Sequence, residues 1–215
     1  MIQLDPTLAE IPLALLAGGA GTRVQSVSRT VPKALFEVNG RPFIAHQLDL
    51  VRRQGVRRVV ICIGHLGEQT EAYVRDGRDF GLEVTYSRDG ATLLGTAGAL
   101  KQAAALLGPL FWVMYGDSYL NVDFSDVLAV FRGSSALGLM TVFRNENRHD
   151  RSNVSFSDGV LRAYDKRHPI ADMTYIDYGL SLLRAAALGK VRRGEPADLG
   201  DVYNDLVARG AMEGF

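Results

Sequence analysis

The sequence predicts an α/β protein of three layers, α/β/α, with a mostly parallel central sheet and a mixed second half. In the first half, short apolar runs alternate with helical patterns, as parallel strands joined by crossover helices require. In the second half this alternation loosens, and Asp158-Gly159, a strong turn signal, separates two strand patterns. No repeat or low-complexity linker interrupts the chain. We therefore expect residues 1–215 to form a single domain with two halves, 1–117 and 118–215.

The first half contains four strand patterns and the three helical patterns between them. The first helix shows the reasoning: Phe43, Ile44, Leu48 and Val51 recur at helical spacing, and Gly55 ends the pattern. The short apolar runs that end in glycine or a polar residue are typical of buried strands. In chain order, the predicted strands cover 11–19, 56–64, 82–87 and 110–116, and the predicted helices cover 41–55, 68–77 and 95–108.

The second half carries a helix over 125–133 and a strand over 136–143. A hairpin follows over 153–165, then a long strand over 173–184 and a last helix over 199–210. Hairpin strands are antiparallel, so this half makes the sheet mixed.

Composition excludes several classes of protein. The 24 basic and 24 acidic residues cancel, whereas a general nucleic-acid binder would carry a basic surplus. No run of 18 apolar residues suggests a membrane span, and the N-terminal segment lacks the basic start of a signal peptide. Cys62, the single cysteine, stands in an apolar run. We expect it to be a buried thiol in a protein of the reducing cytoplasm.

The stretch "LAGGAGTRVQSVSRTVPKAL" (16–35) directly follows the first predicted strand. The dinucleotide fingerprint would need glycine where Val24 stands. A Walker phosphate-binding loop would need Gly-Lys-Ser/Thr, but Arg23 follows Thr22. A tight turn remains open as an alternative, although a turn rarely needs three glycines together with charge.

A backbone cradle for a polyphosphate explains this stretch better. Gly18, Gly19 and Gly21 have no Cβ, so amide N–H groups can approach anionic oxygens closely. Arg23 adds a planar fork that suits phosphate, and Lys33, after Pro32, adds a point charge. The alternative for both Arg23 and Lys33 is an ordinary surface side chain in contact with solvent.

A second polar group follows another strand. Asp117 comes directly after the predicted strand over 110–116. Ligands of open α/β sheets bind beyond the carboxyl ends of the strands, so we expect Asp117 and the glycine loop to share one site. A cap on the following turn is the alternative role for Asp117.

Taken together, these segments resemble the sugar-1-phosphate nucleotidyltransferases (sugar-nucleotide pyrophosphorylases). "LAGGAGTR" followed by "PKAL" is similar to the signature of that family, and "NGRPFIAHQL" to its "GKP" helix start. "LGTAGAL" resembles the nucleotide-binding segment of mannose-1-phosphate guanylyltransferases, and "YGDSYL" the metal-binding "GD". "DGVLRAYDKR" and "YIDYGLSLLR" resemble the sugar-side "EK" and "NAGIY" elements. The resemblance spans nearly the whole chain in the same order and implies a Rossmann-like nucleotidyltransferase fold.

The resemblance also implies an activity and a set of site residues. The family transfers a nucleoside monophosphate from a nucleoside triphosphate to a sugar 1-phosphate and releases pyrophosphate, with Mg²⁺ as cofactor. The implied catalytic groups are Arg23 and Lys33 on the phosphates and Asp117 on the metal. The segment contacting the nucleotide would comprise Leu16, Ala17, Gly18, Gly19, Gly21, Thr22, Gly95, Thr96 and Gly98. For Thr96, capping of its own helix is the structural alternative. His65 follows another strand and is a further candidate near the base, with a solvent-facing histidine as the alternative.

On the sugar-phosphate side, the resemblance implies Asp165, Lys166, Tyr178 and Gly179. Asp165 stands where the family has Glu, and Arg167 where it has Pro, so this element is the least typical. A surface lysine and a strand bulge are the alternatives for Lys166 and Gly179. A second metal-binding carboxylate is expected beyond Phe215, in a missing C-terminal segment, with Asp177 as an alternative ligand.

The favoured substrates are GTP with mannose- or heptose-1-phosphate. Uridylyl or cytidylyl transfer to another phosphorylated acceptor stays open, as does a non-catalytic nucleotide-sugar-binding relative. A homodimer is the commonest closed assembly and is a possible state here.

Overall fold

The computed structural model describes residues 6–19 and 30–215 and contains the alternating α/β elements that the sequence predicts. The strands of the first half are β1 (Leu13–Leu16), β2 (Glu37–Val38), β3 (Arg41–Pro42), β4 (Arg58–Ile63), β5 (Glu83–Arg88) and β6 (Leu110–Tyr115). Its helices are α1 (Phe43–Arg53), α2 (Gly67–Val74) and α3 (Gly95–Leu107), with short 3₁₀ helices at Lys33–Leu35 and Arg78–Phe80.

The second half adds α4 (Phe124–Phe131), α5 (Leu199–Ala208) and a 3₁₀ helix at Ala185–Leu188. Its strands are β7 (Gly138–Arg144), β8 (Val154–Ser157), β9 (Val160–Tyr164), β10 (Tyr175–Arg184) and β11 (Met212–Gly214). The predicted hairpin is confirmed: β8 pairs antiparallel with β9, and Asp158 and Gly159 both take positive φ in the turn.

The sheet is mixed, as predicted. Across the described residues its strand order is β11-β7-β10-β6-β1-β4-β5, with β8 on β10 and β9 on β8. The pairs β6-β1, β1-β4 and β4-β5 are parallel, whereas β10 runs antiparallel to both β6 and β7. The three-layer prediction is confirmed at the level of the core, because apolar side chains pack on both faces of the sheet.

Alternation along the strands divides the core between the two faces. Leu13 and Leu15 of β1 face the cluster that includes the apolar side of α1 and α4, whereas Ala14 faces the cluster around α3 and α5. A sheet covered on both faces needs apolar residues at every strand position, which explains the continuous apolar runs of β1, β4 and β6.

Two features of the fold were absent from the sequence prediction. The strands β2 and β3 form a separate two-stranded hairpin before α1. The three residues of β11 pair parallel with β7 at the sheet edge. Strands of two or three residues are too short to show a periodic pattern of apolar residues, so only their hydrogen-bonded partner strands identify them.

None of the described helices combines the length and the apolar character that crossing a bilayer requires.

The buried position of Cys62 leads to the first prediction. Its thiol is 1% exposed within β4, and burial raises its pKa to about 12. Thiol-disulfide exchange requires the thiolate, so a chromogenic disulfide reagent at pH 8 should leave the native protein unmodified. In guanidinium chloride, the same reagent should titrate one thiol per chain. Rapid stoichiometric reaction of the native protein would contradict the buried position.

Candidate functional site

The carboxyl ends of three neighbouring strands form one edge of the sheet. Because β1 pairs parallel with both β4 and β6, Leu16 lies opposite Cys62 on one side and Tyr115 on the other. The pairing continues past the strands: Ala17 N donates to Cys62 O at 2.9 Å, and Gly116 N donates to Leu16 O at 3.0 Å. The glycine segment and the loop after β6 are therefore neighbours, as the sequence predicted.

The first glycine of the loop lies against backbone. A Cβ on Gly18 would lie 3.0 Å from the N of Gly64, and a Cβ on Gly64 would lie 2.6 Å from Gly18 O. A Cβ on Gly19, in contrast, would meet no atom within 4 Å among the described residues. Gly18 is thus needed for packing of one strand end on another, whereas Gly19 is exposed.

Gly21, Thr22 and Arg23 lie outside the described residues, so their predicted contacts with a triphosphate stay predictions.

Lys33, the predicted phosphate-binding cation that lies within the described residues, forms an ion pair with Asp117, which follows β6. Lys33 Nζ donates to Asp117 Oδ2 at 2.9 Å, across 84 positions of sequence. Both side chains remain open to solvent, at 41% and 57% exposure. Lys33 starts the 3₁₀ helix, and Pro32 fixes the backbone before it. The structure thus brings together the two described members of the predicted catalytic set.

A buried side chain that the sequence prediction missed holds the loop of Asp117. Gln47 of α1 is fully buried and donates from Nε2 to Tyr115 O at 3.0 Å and to Ser118 O at 2.8 Å. These two carbonyls flank Asp117, so α1 determines where the carboxylate stands. A glutamine on an amphipathic helix looks like an ordinary surface residue in sequence, and only its burial reveals this role.

The glycines at the start of α3 pack against another part of the chain. A Cβ on Gly95 would lie 2.7 Å from Ala197 O, and a Cβ on Gly98 would lie 2.7 Å from Glu195 O. Thr96 does not cap its own helix: its Oγ1 accepts the N–H of Leu199 at 2.7 Å, at the start of α5. The close approach of residues 195–199 therefore explains why glycine stands at positions 95 and 98 and threonine at position 96. Their predicted contacts with a nucleotide stay predictions.

The end of β5 contributes a carboxylate that the sequence prediction did not assign. Asp89 Oδ2 accepts the N–H of Leu94 at 3.0 Å and would lie 3.3 Å from a Cβ on Gly64. Partial burial raises the pKa of Asp89 above its usual range, although the Leu94 N–H opposes this shift. His65 is exposed just beyond β4 on the same edge.

The predicted sugar-side residues lie in two adjoining segments. Lys166 Nζ lies 3.4 Å from Asp177 Oδ2, 3.5 Å from the Tyr115 hydroxyl and 4.7 Å from the centre of the Tyr115 ring. Tyr115 ends β6 two residues before Asp117, so the lysine lies close to the site. Gly179 has φ +97°, and a Cβ there would clash with Ser118 Oγ, which fixes β10 against the same loop.

Asp165 and Tyr178 already have local partners. Asp165 Oδ1 accepts the N–H groups of Arg167 and His168 at 2.7 and 2.9 Å, and these bonds hold the pKa of Asp165 below its usual range. The Tyr178 hydroxyl accepts the N–H of Asn121 at 3.3 Å, and its ring stacks on Phe143. Asp165 thus shapes the turn that carries Lys166.

The donor set fits a magnesium ion held partly by substrate. In the described ranges no three His, Cys, Asp or Glu side chains gather into a ready-made metal site. Mg²⁺ commonly takes one or two carboxylates together with phosphates and water, and the exposed Asp117 carboxylate supplies one such ligand. Asp177, the alternative ligand suggested by sequence, is buried against Lys166 instead.

Residues 14–153 match the family described as nucleotidyl transferase. The chain belongs to this family. Among its curated relatives is a UTP–glucose-1-phosphate uridylyltransferase of Synechocystis, 26% identical over 91% of this chain and 55% of its own length. Another is a D-glycero-alpha-D-manno-heptose 1-phosphate guanylyltransferase of Campylobacter jejuni, 29% identical over 71% of this chain and 67% of its own.

The fold is shared with solved structures. HddC from Yersinia pseudotuberculosis superposes with a TM-score of 0.77 at 20% identity, covering 95% of this chain and 89% of that one. This likeness confirms the Rossmann-like α/β fold that the sequence resemblance implied. The chain spans about half the length of the first curated relatives that it matches.

The two neighbouring glycines, Gly18 and Gly19, provide a matched test. Gly18→Ala should lower the free energy of unfolding by about 1–3 kcal/mol, because its methyl group is forced against the backbone of Gly64. Gly19→Ala should leave stability within about 0.5 kcal/mol of the wild type, because Gly19 is exposed and a Cβ there would meet no atom of the described residues within 4 Å. Urea unfolding without nucleotide measures both. Equal losses at the two positions would contradict the packing described.

Proposed function

We propose that this nucleotidyl transferase joins a nucleoside triphosphate to a sugar 1-phosphate, giving a nucleotide sugar and pyrophosphate. The observation that carries this proposal is the 2.9 Å contact between Lys33 and Asp117 beside the glycine loop. A cation for phosphate and a carboxylate suited to Mg²⁺ lie at one strand edge, with neither buried. Residues 1–117 would form the nucleotide-binding half and 118–215 the sugar-phosphate-binding half.

The mechanism rests on charge and orientation, because two anions must approach each other. The sugar phosphate oxygen attacks the α-phosphorus, a new P–O bond forms, and the bond to the pyrophosphate oxygen breaks. Backbone amides around Gly19 would face the triphosphate, and Arg23 would bind the leaving pyrophosphate. Lys33 would neutralise charge where the two phosphates meet. Lys166, at the end of the site beside Tyr115, would bind the incoming phosphate.

Asp117 would hold Mg²⁺ through its exposed carboxylate, and the ion would supply positive charge to the reacting phosphates. In the described structure Lys33 occupies one oxygen of this carboxylate. Phosphate groups of a bound substrate offer Lys33 a stronger anionic partner, which would leave Asp117 available to the ion. Lys33 and Asp117 carry opposite charges but would act on the same two phosphate groups, Lys33 directly and Asp117 through the ion that it holds.

The proposed substrates are GTP with mannose- or heptose-1-phosphate. The "LGTAGAL" segment and the guanylyltransferase relative support this choice. The uridylyltransferase relative, which covers more of the chain, supports uridylyl transfer as the second candidate. We propose a cytoplasmic enzyme, and a homodimer is a possible assembly.

Pyrophosphate release tests the proposal directly. The wild-type protein with Mg²⁺ is assayed with GTP, UTP, CTP and dTTP, each against mannose-, heptose- and glucose-1-phosphate. One pair should give pyrophosphate that depends on both substrates. A thermal-shift series with the same triphosphates, in which a ligand at about 100 times its Kd adds about 2.7 kcal/mol, separates binding from turnover. Binding without release by any pair would favour a non-catalytic relative and contradict the proposed reaction.

The Lys33–Asp117 pair gives a prediction that separates activity from stability. Lys33→Met should reduce kcat about 10²–10³-fold, as loss of one preorganised charge does. The same change should alter the free energy of unfolding by about 1 kcal/mol or less, because exposed ion pairs contribute little.

Lys190→Met is the matched control, since Lys190 makes an exposed ion pair with Asp205 away from the strand edge. It should leave kcat unchanged. Equal activity of the Lys33 and Lys190 variants would remove Lys33 from the proposed mechanism.

A further inference from the structure

Asp177 carries a carboxylate that is almost completely buried. It lies on β10, and its side chain is 2% exposed. Oδ1 accepts the N–H of Gly179 at 3.0 Å, whereas Oδ2 accepts no hydrogen bond from any described residue. Burying a carboxylate is costly unless another charge compensates it. Something near Oδ2 must therefore supply that compensation.

Three tyrosines are close enough to be affected by the charge of Asp177, but they cannot neutralise it. Burial, and next the charge of Asp177, raise the pKa values of Tyr115, Tyr164 and Tyr203 well above the usual range. The phenols therefore stay protonated and uncharged. The hydroxyl of Tyr203 donates to Ser181 Oγ at 2.7 Å, and that of Tyr164 has no hydrogen-bond partner in the described structure.

Lys166 supplies the missing charge. Its ammonium lies 3.4 Å from Asp177 Oδ2, and within the described ranges it is the one cation in ion-pair contact with this carboxylate. The ammonium also lies over the rings of Tyr115 and Tyr164, at 4.7 and 5.8 Å from their centres. Yet the Lys166 side chain is 44% exposed. The carboxylate holds the end of this side chain, and an exposed side of the chain remains open to a ligand.

The local backbone explains why the carboxylate points to this place. The pairing of β10 with β7 shifts register between Asp177 and Ser181. Gly179 takes positive φ inside this irregularity, and the bond from its N–H to Asp177 Oδ1 holds the turn. Asparagine could accept the same bond, so the charge of Asp177 is not needed for the backbone geometry. The charge is needed for Lys166.

We propose that Asp177 is a positioning residue: its buried carboxylate fixes the Lys166 ammonium above Tyr115 so that the open side faces the acceptor phosphate. The role of Lys166 in this inference rests on the proposed function, whereas the placement of the Lys166 ammonium rests on the structure alone. Tyr115 belongs to the strand that carries the Asp117 loop, so the position of the cation relative to the site is set by β6 and β10 together.

A direct test observes the ammonium itself. The chain has four lysines, so reductive methylation with ¹³C-labelled formaldehyde gives few resonances, and Lys166→Arg identifies the one of interest. In the wild type, this resonance should be displaced by the ring current of Tyr115. Asp177→Asn should move it toward the position of the exposed Lys190. An unchanged resonance in Asp177→Asn would overturn the proposal.

Asp201→Asn is the matched control. Asp201 accepts two hydrogen bonds from Arg167, at 2.7 and 2.9 Å, and Arg167 follows Lys166 in the chain. This substitution loosens the same loop without touching Asp177. The Lys166 resonance should stay in place in Asp201→Asn. A shift equal to that of Asp177→Asn would assign the effect to the loop and overturn the proposal.

Kinetics provide the second arm. Asp177→Asn should raise KM for the sugar 1-phosphate about ten- to a hundredfold and leave KM for the triphosphate unchanged. The reason is that the Asp177 charge acts on Lys166, the cation proposed to bind the sugar phosphate. An equal rise in both constants would contradict a positioning role. If the wild type releases no pyrophosphate with any pair, the proposed function fails, while the resonance still decides the placement of Lys166.

A stability measurement covers the case in which Asp177→Asn does not fold. Lys166→Met leaves the buried carboxylate without compensation, so its melting temperature should fall further than that of Lys190→Met, whose partner Asp205 is more exposed. Equal melting temperatures for the two variants would contradict the compensation on which the proposal depends.

Discussion

The parallel pairing of β1 between β4 and β6 is the constraint on which the rest of the structure depends. It brings three strand ends to one edge at the spacing of backbone hydrogen bonds, as the bond from Gly116 N to Leu16 O shows. At that spacing, side chains between the ends do not fit, and glycine at positions 18 and 64 follows from sterics. The candidate site lies at this edge because the polar residues that directly follow the parallel strands all lie beyond the carboxyl ends of those strands.

Around this edge, buried polar side chains position the exposed ones. Gln47 holds the two carbonyls on either side of Asp117, and Asp177 holds the Lys166 ammonium in an ion pair. Each buried group is fixed by packing, while each exposed group keeps a side open to solvent. This division allows charges to be oriented without removing them from reach of a ligand, which is what the transfer of a charged phosphoryl group needs.

The second half of the chain also packs against an element of the first half. Residues 195–199 reach back to the start of α3, where Ala97 N donates to Ala197 O and Thr96 accepts from Leu199. Gly95 and Gly98, whose nucleotide contacts were expected from resemblance, are required by this close approach. The packing gives these glycines a sufficient structural reason.

The sequence by itself predicted the alternating elements, because the period of apolar residues is a local property. It also predicted the meeting of Asp117 with the glycine loop, because both follow predicted strands and the carboxyl ends of parallel strands lie at one edge of the sheet. Through its motif, Lys33 was also predicted to be a cation of the candidate site. The roles of Gln47, Asp177 and Thr96, and the existence of β11, were decided only by the tertiary structure. Burial, partner and register depend on segments far away in the chain, and no local pattern of residues encodes them.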